Sequence, residues 1–305
     1  MLRERQSHAG FARIGDTVYF SRGACAGAAA ETFHSKRSED AVMPTPCPGK
    51  VSCELREHVM LIGLDRPAKR NAFDLPMLDE LSLAYGAFER EPAARVALVF
   101  CHGEHFTAGL DLAAVSTRLT QGWQVPPGGC DPWRVSAGPV VSKPVIVAAQ
   151  GYCLTVGIEL MLAADINLCA SNTRFAQMEV QRGLFPFGGA TLRLQQIAGW
   201  GNAMRWLLTG DEFDAHEALR LGLVQEVMAS EDLLPNALAL AQRIARQAPL
   251  GVQATLASAR LAISEGEVAA SRQLSATTGR LFASEDAQEG LAAMQQQRPA
   301  LFAGK

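Results

Sequence analysis

Neither sign of charge dominates this 305-residue sequence. Lys and Arg total 28 against 31 Asp and Glu, a formal net charge of −3. The basic surplus of a global nucleic-acid binder is therefore missing. Long apolar runs are missing too, and none approaches the ~18 residues of a membrane span. The opening MLRERQSHAGFARIGD has charge but no apolar h-region, so it does not read as a secretory signal. The seven cysteines, at 25, 47, 53, 101, 130, 153 and 169, form no C-x-x-C. Odd in number and often set inside apolar runs, they are expected to be free thiols in a reducing, cytoplasmic protein. No G-x-x-x-x-G-K-[ST], H-E-x-x-H or strand-borne G-x-G-x-x-G occurs, which removes the commonest nucleotide and zinc signatures. His102 and His105 are spaced H-x-x-H in CHGEH, but further ligands are not nearby, and both are expected to be polar loop histidines. A G-x-S-x-G elbow is also absent, and no serine is expected beside a base.

What remains is ordinary globular composition, 48 % apolar and 19 % charged. At ~150 residues per domain the length suits about two domains, or one with an appendage. Residues 1–48 stand apart, rich in Ala, Gly, Ser and Arg and without a sustained period. They are expected to be a disordered or non-native extension, with Met43 a plausible start. From Val51 the pattern changes. VSCELREHVMLIGLD reads as an antiparallel strand pair, and Pro76 opens a helix with Leu78, Leu81, Leu83 and Phe88 near one face. ARVALVF, PVIVAAQG and INLCAS read as buried strands, and DLAAVSTRLT and GIELMLAAD as helices. Residues 121–139, with several prolines and glycines and two tryptophans, form a loop or lid. Buried strands alternating with helices imply an α/β fold with a largely parallel sheet or a solenoid. After Gly201 the chain is expected to be helical.

Two segments could present backbone N–H groups. Gly109-Leu110-Asp111 closes a loop and opens a helix, and Leu154-Thr155-Val156-Gly157 does the same. Helix N-termini offer unpaired donors and a partial positive charge, and two that converged would stabilise an oxyanion. By pattern alone they are two ordinary strand–helix turns. Glu159, on the first turn of an apolar helix, and Glu179, before a Pro/Gly-rich turn, form a second feature. Two carboxylates at one site divide acid and base roles when their surroundings separate their pKa values. The sequence by itself does not bring them together.

LDRPAKRNAFD (64–74), GEHFTAGLDL (103–112), KPVIVAAQGYCLTVGIELMLAADI (143–166) and FAQMEVQRGLFPFGGATLRL (175–194) together resemble the enoyl-CoA hydratase/isomerase (crotonase) family. SEDAQEGLAAMQQQRPALF is similar to the family's C-terminal helix. The resemblance covers about residues 50–302 and implies a crotonase-like ββα spiral core over 49–200. A helical C-terminal subdomain over 201–305 would serve oligomerisation. It implies stabilisation of a thioester enolate, with the backbone N–H groups of Leu110 and Val156 as the oxyanion hole. Glu159 and Glu179 fall on the positions of the catalytic glutamates of the family's hydratases. Ala68, Lys69, Arg70, Ala108, Asp111 and Leu112 would line the path of CoA, the basic pair facing its phosphates or simply lying solvated in the loop.

The implied reaction is hydration or dehydration across Cα=Cβ of an acyl-CoA. The alternatives are isomerisation, a specialised hydroxyacyl-CoA dehydration, or CoA binding without turnover. Expected partners are the acyl-CoA and further copies of the chain, as a homotrimer or homohexamer, with neither nucleic acid nor membrane. Metal and redox cofactors are not required, since CoA is part of the substrate. Leu110, Val156 and Phe187 are bulkier than is usual for the family, Asp65 and Gln150 stand where Asn is common, and Thr155-Val156-Gly157 replaces a glycine triplet. A short-chain enoyl substrate is therefore not assured. Loop 116–139, with Trp123 and Trp133, is the other expected determinant of specificity.

Overall fold

The computed structural model describes residues 10–14, 17–21 and 50–305. In chain order the strands are β1 (Gly10–Ile14), β2 (Thr17–Ser21), β3 (Val51–Arg56), β4 (Val59–Leu64), β5 (Val96–Cys101), β6 (Val145–Ala149), β7 (Tyr152–Leu154), β8 (Ile166–Ala170), β9 (Arg174–Ala176), β10 (Phe213–Asp214) and β11 (Glu226–Met228). The helices are α1 (Leu75–Arg90), α2 (Leu112–Thr120), α3 (Val156–Ala163), α4 (Ala190–Ala198), α5 (Trp200–Thr209), α6 (Ala215–Arg220), α7 (Ser230–Ala245), α8 (Pro249–Glu265), α9 (Glu267–Phe282) and α10 (Glu285–Gln295).

Strands apolar on both faces must be covered on both, and β4, β5 and β6 are buried at every position. They sit in the middle of a sheet ordered β1-β2-β3-β4-β5-β6-β8-β11. The pairs from β1 to β4 are antiparallel, and those from β4 to β11 parallel. The period of two splits the core. Met60, Ile62, Leu64, Val99 and Val147 face one side, where Met77, Leu81 and Phe88 of α1 pack. Val59, Leu61, Leu98 and Ile146 face the other, against Leu233, Ala237, Ala241 and Ala245 of α7. That four-residue spacing of mainly small residues gives α7 one narrow stripe that seats closely on the sheet. A second sheet is ordered β10-β9-β7.

Helix α1 begins where its chemistry predicts. The Asp74 carboxylate accepts the Met77 N–H (3.1 Å), with Pro76 in the first turn. Such a cap is worth about 1 kcal/mol. At the other end Lys143 donates to the Phe88 and Glu91 carbonyls (2.9 and 2.8 Å), a cation where the helix dipole favours one.

Three expectations change. Most of residues 1–48 lie outside the described residues, but within them β1 and β2 pair antiparallel, and Thr17 meets Glu54 of β3. Those two segments thus extend the sheet instead of lacking regular structure. Residues 201–305 are mainly helical, yet β11 joins the sheet beside β8 and α7 covers its face, so position 200 does not divide the core. His102 lies in the loop after β5, as expected, but its side chain is buried with Nε2 2.8 Å from Ser52 Oγ, so a serine does sit beside an imidazole. Burial holds that imidazole below its usual range, against the pull of Asp65. A Cβ at Gly63 would strike Ser52 Oγ and lie 2.6 Å from His102 Nε2, which marks the pair as closely packed in the sheet.

Among the described residues, Cys101, Cys130, Cys153 and Cys169 are free and buried, and Cys53 is buried as well. Among the described residues no helix is long and apolar enough to cross a membrane, and no cluster of three metal-ligating side chains forms.

Candidate active site

The site is built on the short strand β7, which ends at Leu154, and Thr155 links it to α3. Thr155 adopts φ 49°, ψ −113°, a conformation that burdens a β-branched residue. Its N–H is held by the Ala176 carbonyl (2.9 Å), which ties the turn to β9. The facing loop is bound to β7 through the backbone of Thr107, which donates to the Tyr152 carbonyl (2.8 Å) and accepts from Leu154 (3.0 Å). Gly109, at φ 95°, presses so closely on Thr155 that any Cβ there would strike the threonine hydroxyl.

Leu110 and Val156 each follow one of these touching residues. Val156 opens α3, so its N–H is among the helix's unpaired donors. Phe73 bonds the Gly109 carbonyl and the Asp111 N–H (2.8 Å each), which turns the intervening Leu110 N–H the other way. Neither the Leu110 nor the Val156 N–H has a hydrogen-bond acceptor among the described residues. The two loops expected to meet do meet, with their free donors adjacent in sequence to the contact.

Glu159 is one turn into α3 and fully buried, and Glu179, at the start of a 3₁₀ turn after β9, is 7 % exposed. Each carboxylate is anchored by one oxygen. Glu159 Oε1 accepts the Gly188 and Ala190 N–H groups (2.7 and 3.1 Å). With the buried Gln177 amide turned so that its nitrogen faces the acceptors around it, that nitrogen donates to Glu179 Oε1 (3.3 Å) and to the Thr155 carbonyl (3.1 Å). Each Oε2 is buried without a hydrogen-bond partner among the described residues. Burial raises the Glu159 pKa to about 7, and the Glu179 charge pushes the same way. The Ala190 and Gly188 N–H groups and the Arg193 guanidinium pull against this rise. Burial also raises Glu179, opposed by its own backbone N–H and by Arg182. Both carboxyls are thus shifted toward neutrality and the Glu179 charge acts on Glu159, surroundings in which two carboxyls can divide acid and base roles.

A family model described as enoyl-CoA hydratase/isomerase matches residues 54–305. The chain belongs to the enoyl-CoA hydratase/isomerase family. Over 252 residues it is 32 % identical to "Enoyl-CoA hydratase EchA19" of Mycobacterium tuberculosis, covering 82 % of this chain and 94 % of that protein. It is 35 % identical over 259 residues to "Carnitinyl-CoA dehydratase" of Proteus mirabilis, covering 82 % and 97 %. The crystal structure of a probable enoyl-CoA hydratase/isomerase from Mycobacterium abscessus superposes with a TM-score of 0.82 at 51 % identity, covering 84 % and 99 %. The spiral core with its helical C-terminal region is thus the crotonase fold.

Residues that the family resemblance assigned to CoA fall on adjoining segments. Ala68, Lys69 and Arg70 are exposed on the turn after β4, and Ala108 donates to the Arg70 carbonyl (2.9 Å), so the two segments adjoin. Leu112 is exposed at the start of α2. Asp111 is drawn instead into an ion pair with Arg66 (3.1 Å), which also pairs with Asp74 (3.3 Å). Lys50 joins the Asp74 carboxylate as well. Arg70 lies 5.7 Å from the centroid of the Tyr152 ring, itself stacked on His105.

Several supporting residues give no signal in the sequence. Asn71, fully buried at φ 53°, donates to the His102 and His105 carbonyls (2.9 and 2.7 Å) and accepts the Arg66 N–H (2.6 Å). Gln177 and Arg193 are alike in this, because polar residues inside recognised blocks carry no periodic pattern. Loop 121–139 is irregular, as expected, but its Trp133 is buried.

Proposed function

We propose that the protein adds or removes water across the Cα=Cβ bond of an acyl-CoA thioester. The observation that carries this reading is the pair Glu159 and Glu179, each anchored through Oε1 and each with a buried, unpartnered Oε2. Isomerisation or simple CoA binding does not call for two such carboxyls.

In the hydration direction, Glu159 as carboxylate takes a proton from water while the oxygen bonds to Cβ. The π electrons move onto the thioester oxygen, which the Leu110 and Val156 N–H groups receive. Collapse of the enolate takes a proton from Glu179 at Cα. One donor of an oxyanion hole is typically worth ~10²–10³ in rate. After hydration the proton rests on Glu159, whose raised pKa of about 7 lets it hold one near neutrality, and Glu179 is ionised. That state starts the reverse reaction, in which Glu179 removes the Cα proton and Glu159 protonates the leaving hydroxyl. The likeness to carnitinyl-CoA dehydratases supports a specialised hydroxyacyl-CoA as substrate. The lining residues Ala68, Lys69, Arg70, Ala108 and Leu112 would meet CoA, while Asp111 would act through Arg66.

Self-association, as a trimer or hexamer, is supported by apolar side chains exposed on α8–α10, including Ile263, Val268, Leu274, Phe282 and Met294. The buried free thiols of Cys101, Cys130, Cys153 and Cys169 fit a reducing compartment such as the cytoplasm. The test is a panel of enoyl- and hydroxyacyl-CoA thioesters followed by enoyl absorbance, with light scattering for the assembly. Turnover of at least one member supports the reading, and binding without turnover across the panel removes it.

A further inference from the structure

We propose that Trp133 is a positioning residue of the oxyanion hole, its indole N–H fixing the first turn of α3 so that the Val156 N–H meets the thioester oxygen. The proposal rests on the hydration reading above, since it assigns a support to the same donor.

The geometry begins at the Val156 carbonyl, which accepts the Trp133 Nε1–H at 2.9 Å. The peptide that carries the Val156 N–H lies immediately before it, and its own carbonyl, Thr155 O, accepts the Gln177 amide (3.1 Å). The oxyanion peptide is thus held from both flanks by buried side chains. Such holding is needed because Thr155 occupies φ 49°, ψ −113° without being glycine. A residue in a sparsely populated region persists only where its surroundings over-determine it.

Trp133 is itself unusually well fixed. It is 5 % exposed, and its rings meet Phe73 and Trp123 edge-on, with centroids 5.7 and 6.2 Å away. Its backbone N–H donates to Asp131 Oδ1 (2.9 Å), while Asp131 Oδ2 accepts the Val135 and Ser136 N–H groups (2.8 and 2.7 Å). Its carbonyl accepts from Arg193 Nη1 (2.9 Å), and Arg193 Nη2 donates to the Arg134 carbonyl (2.9 Å). An acid and a base, one on each side of the tryptophan backbone, therefore set where the indole N–H points. Purely apolar packing would require neither the N–H contact nor this charged frame.

The experiment uses full-length protein and 2,4-hexadienoyl-CoA, a conjugated thioester whose absorption moves to the red when its carbonyl is polarised. Trp133→Phe keeps a ring and deletes the donor. The wild type is expected to red-shift the bound probe, and Trp133→Phe to lose at least about half of that shift. Its kcat on a hydratable enoyl-CoA should fall about tenfold, with KM changed less than about twofold, the scale of one lost hydrogen bond felt at the transition state. If Phe at 133 impairs folding, 3-benzothienylalanine at that position keeps the bicyclic ring and removes only the N–H. A full shift and unchanged kcat in a folded variant overturn the proposal while leaving the hydration reading intact. No red shift in the wild type overturns the oxyanion hole itself, and this support with it.

Discussion

Gly188 holds one oxygen of the Glu159 carboxyl and leaves room for the other. Its N–H donates to Oε1 at 2.7 Å, and a Cβ at position 188 would lie 2.5 Å from Oε2. Gly188 is not among the glycines with positive φ, so its backbone tolerates any residue. Its lack of a side chain serves the carboxylate.

Gly188→Ala should therefore displace Glu159 without straining the chain. Misplacing a reacting group by about 1 Å can cost ~10² in rate. We expect kcat to fall ~10–100-fold, with KM and the melting temperature nearly unchanged. Steady-state kinetics and a thermal melt on the same preparation decide this, and unchanged kcat would show that Glu159 is free to move aside.

The carboxylates should also fail singly and together. Glu159→Gln and Glu179→Gln are each expected to lower kcat by ~10²–10⁴, the usual scale for a positioned acid or base. Affinity for the CoA thioester should change little. Because the pair handles a single proton circuit, the double variant should lose far less than the product of the two. Near-normal turnover in either folded single variant removes the two-carboxylate hydratase reading in favour of a single-base reaction.

Much of this site was legible because its parts lie in short contiguous blocks. Leu110 and Val156 follow loop glycines or precede a helix, and Glu159 stands out on an otherwise apolar helix. Their convergence was not legible. It depends on Thr107 pairing with Tyr152 and Leu154, a contact between separate loops. The supporting layer was also hidden, since Gln177, Trp133 and Arg193 act through backbone carbonyls that any sequence supplies. β11 was missed for a related reason, because three half-buried or exposed residues, Glu226–Met228, show no strand period.

Asn71 offers a test of how the CoA-side loop is held. Its amide makes two donations to the 102–105 loop and one acceptance from Arg66 (2.6–2.9 Å), all around a fully buried side chain. Asn71→Leu leaves those carbonyls without their donor and puts a branched residue at φ 53°. Together these should cost about 2–4 kcal/mol. With Ala68–Arg70 loosened, KM for the thioester should rise at least about fivefold while kcat falls less. Denaturant unfolding and steady-state kinetics measure both, and an unchanged KM would detach this loop from CoA.

The last expectation concerns stability against pH. Glu159 has a folded-state pKa near 7 against an unfolded value near 4.5. A raised carboxyl pKa means that the folded protein binds more protons in that window, so its contribution to stability is full below about 4.5 and is lost as pH rises through 7. The loss amounts to about 3 kcal/mol at most, since a tenfold change in a protonation equilibrium is worth about 1.4 kcal/mol. Glu159→Gln cannot ionise, yet its amide oxygen can still accept the Gly188 and Ala190 N–H groups. The variant should therefore be more stable than the wild type at pH 8, with the difference shrinking toward zero at pH 4.5, while its turnover is nearly abolished. Glu179, raised by burial in the same way, should show the same sign. Chemical unfolding of wild type and variant at the two pH values measures the effect. A Gln variant less stable than the wild type at pH 8 would mean that the Glu159 charge supports the fold, and that its burial does not serve catalysis.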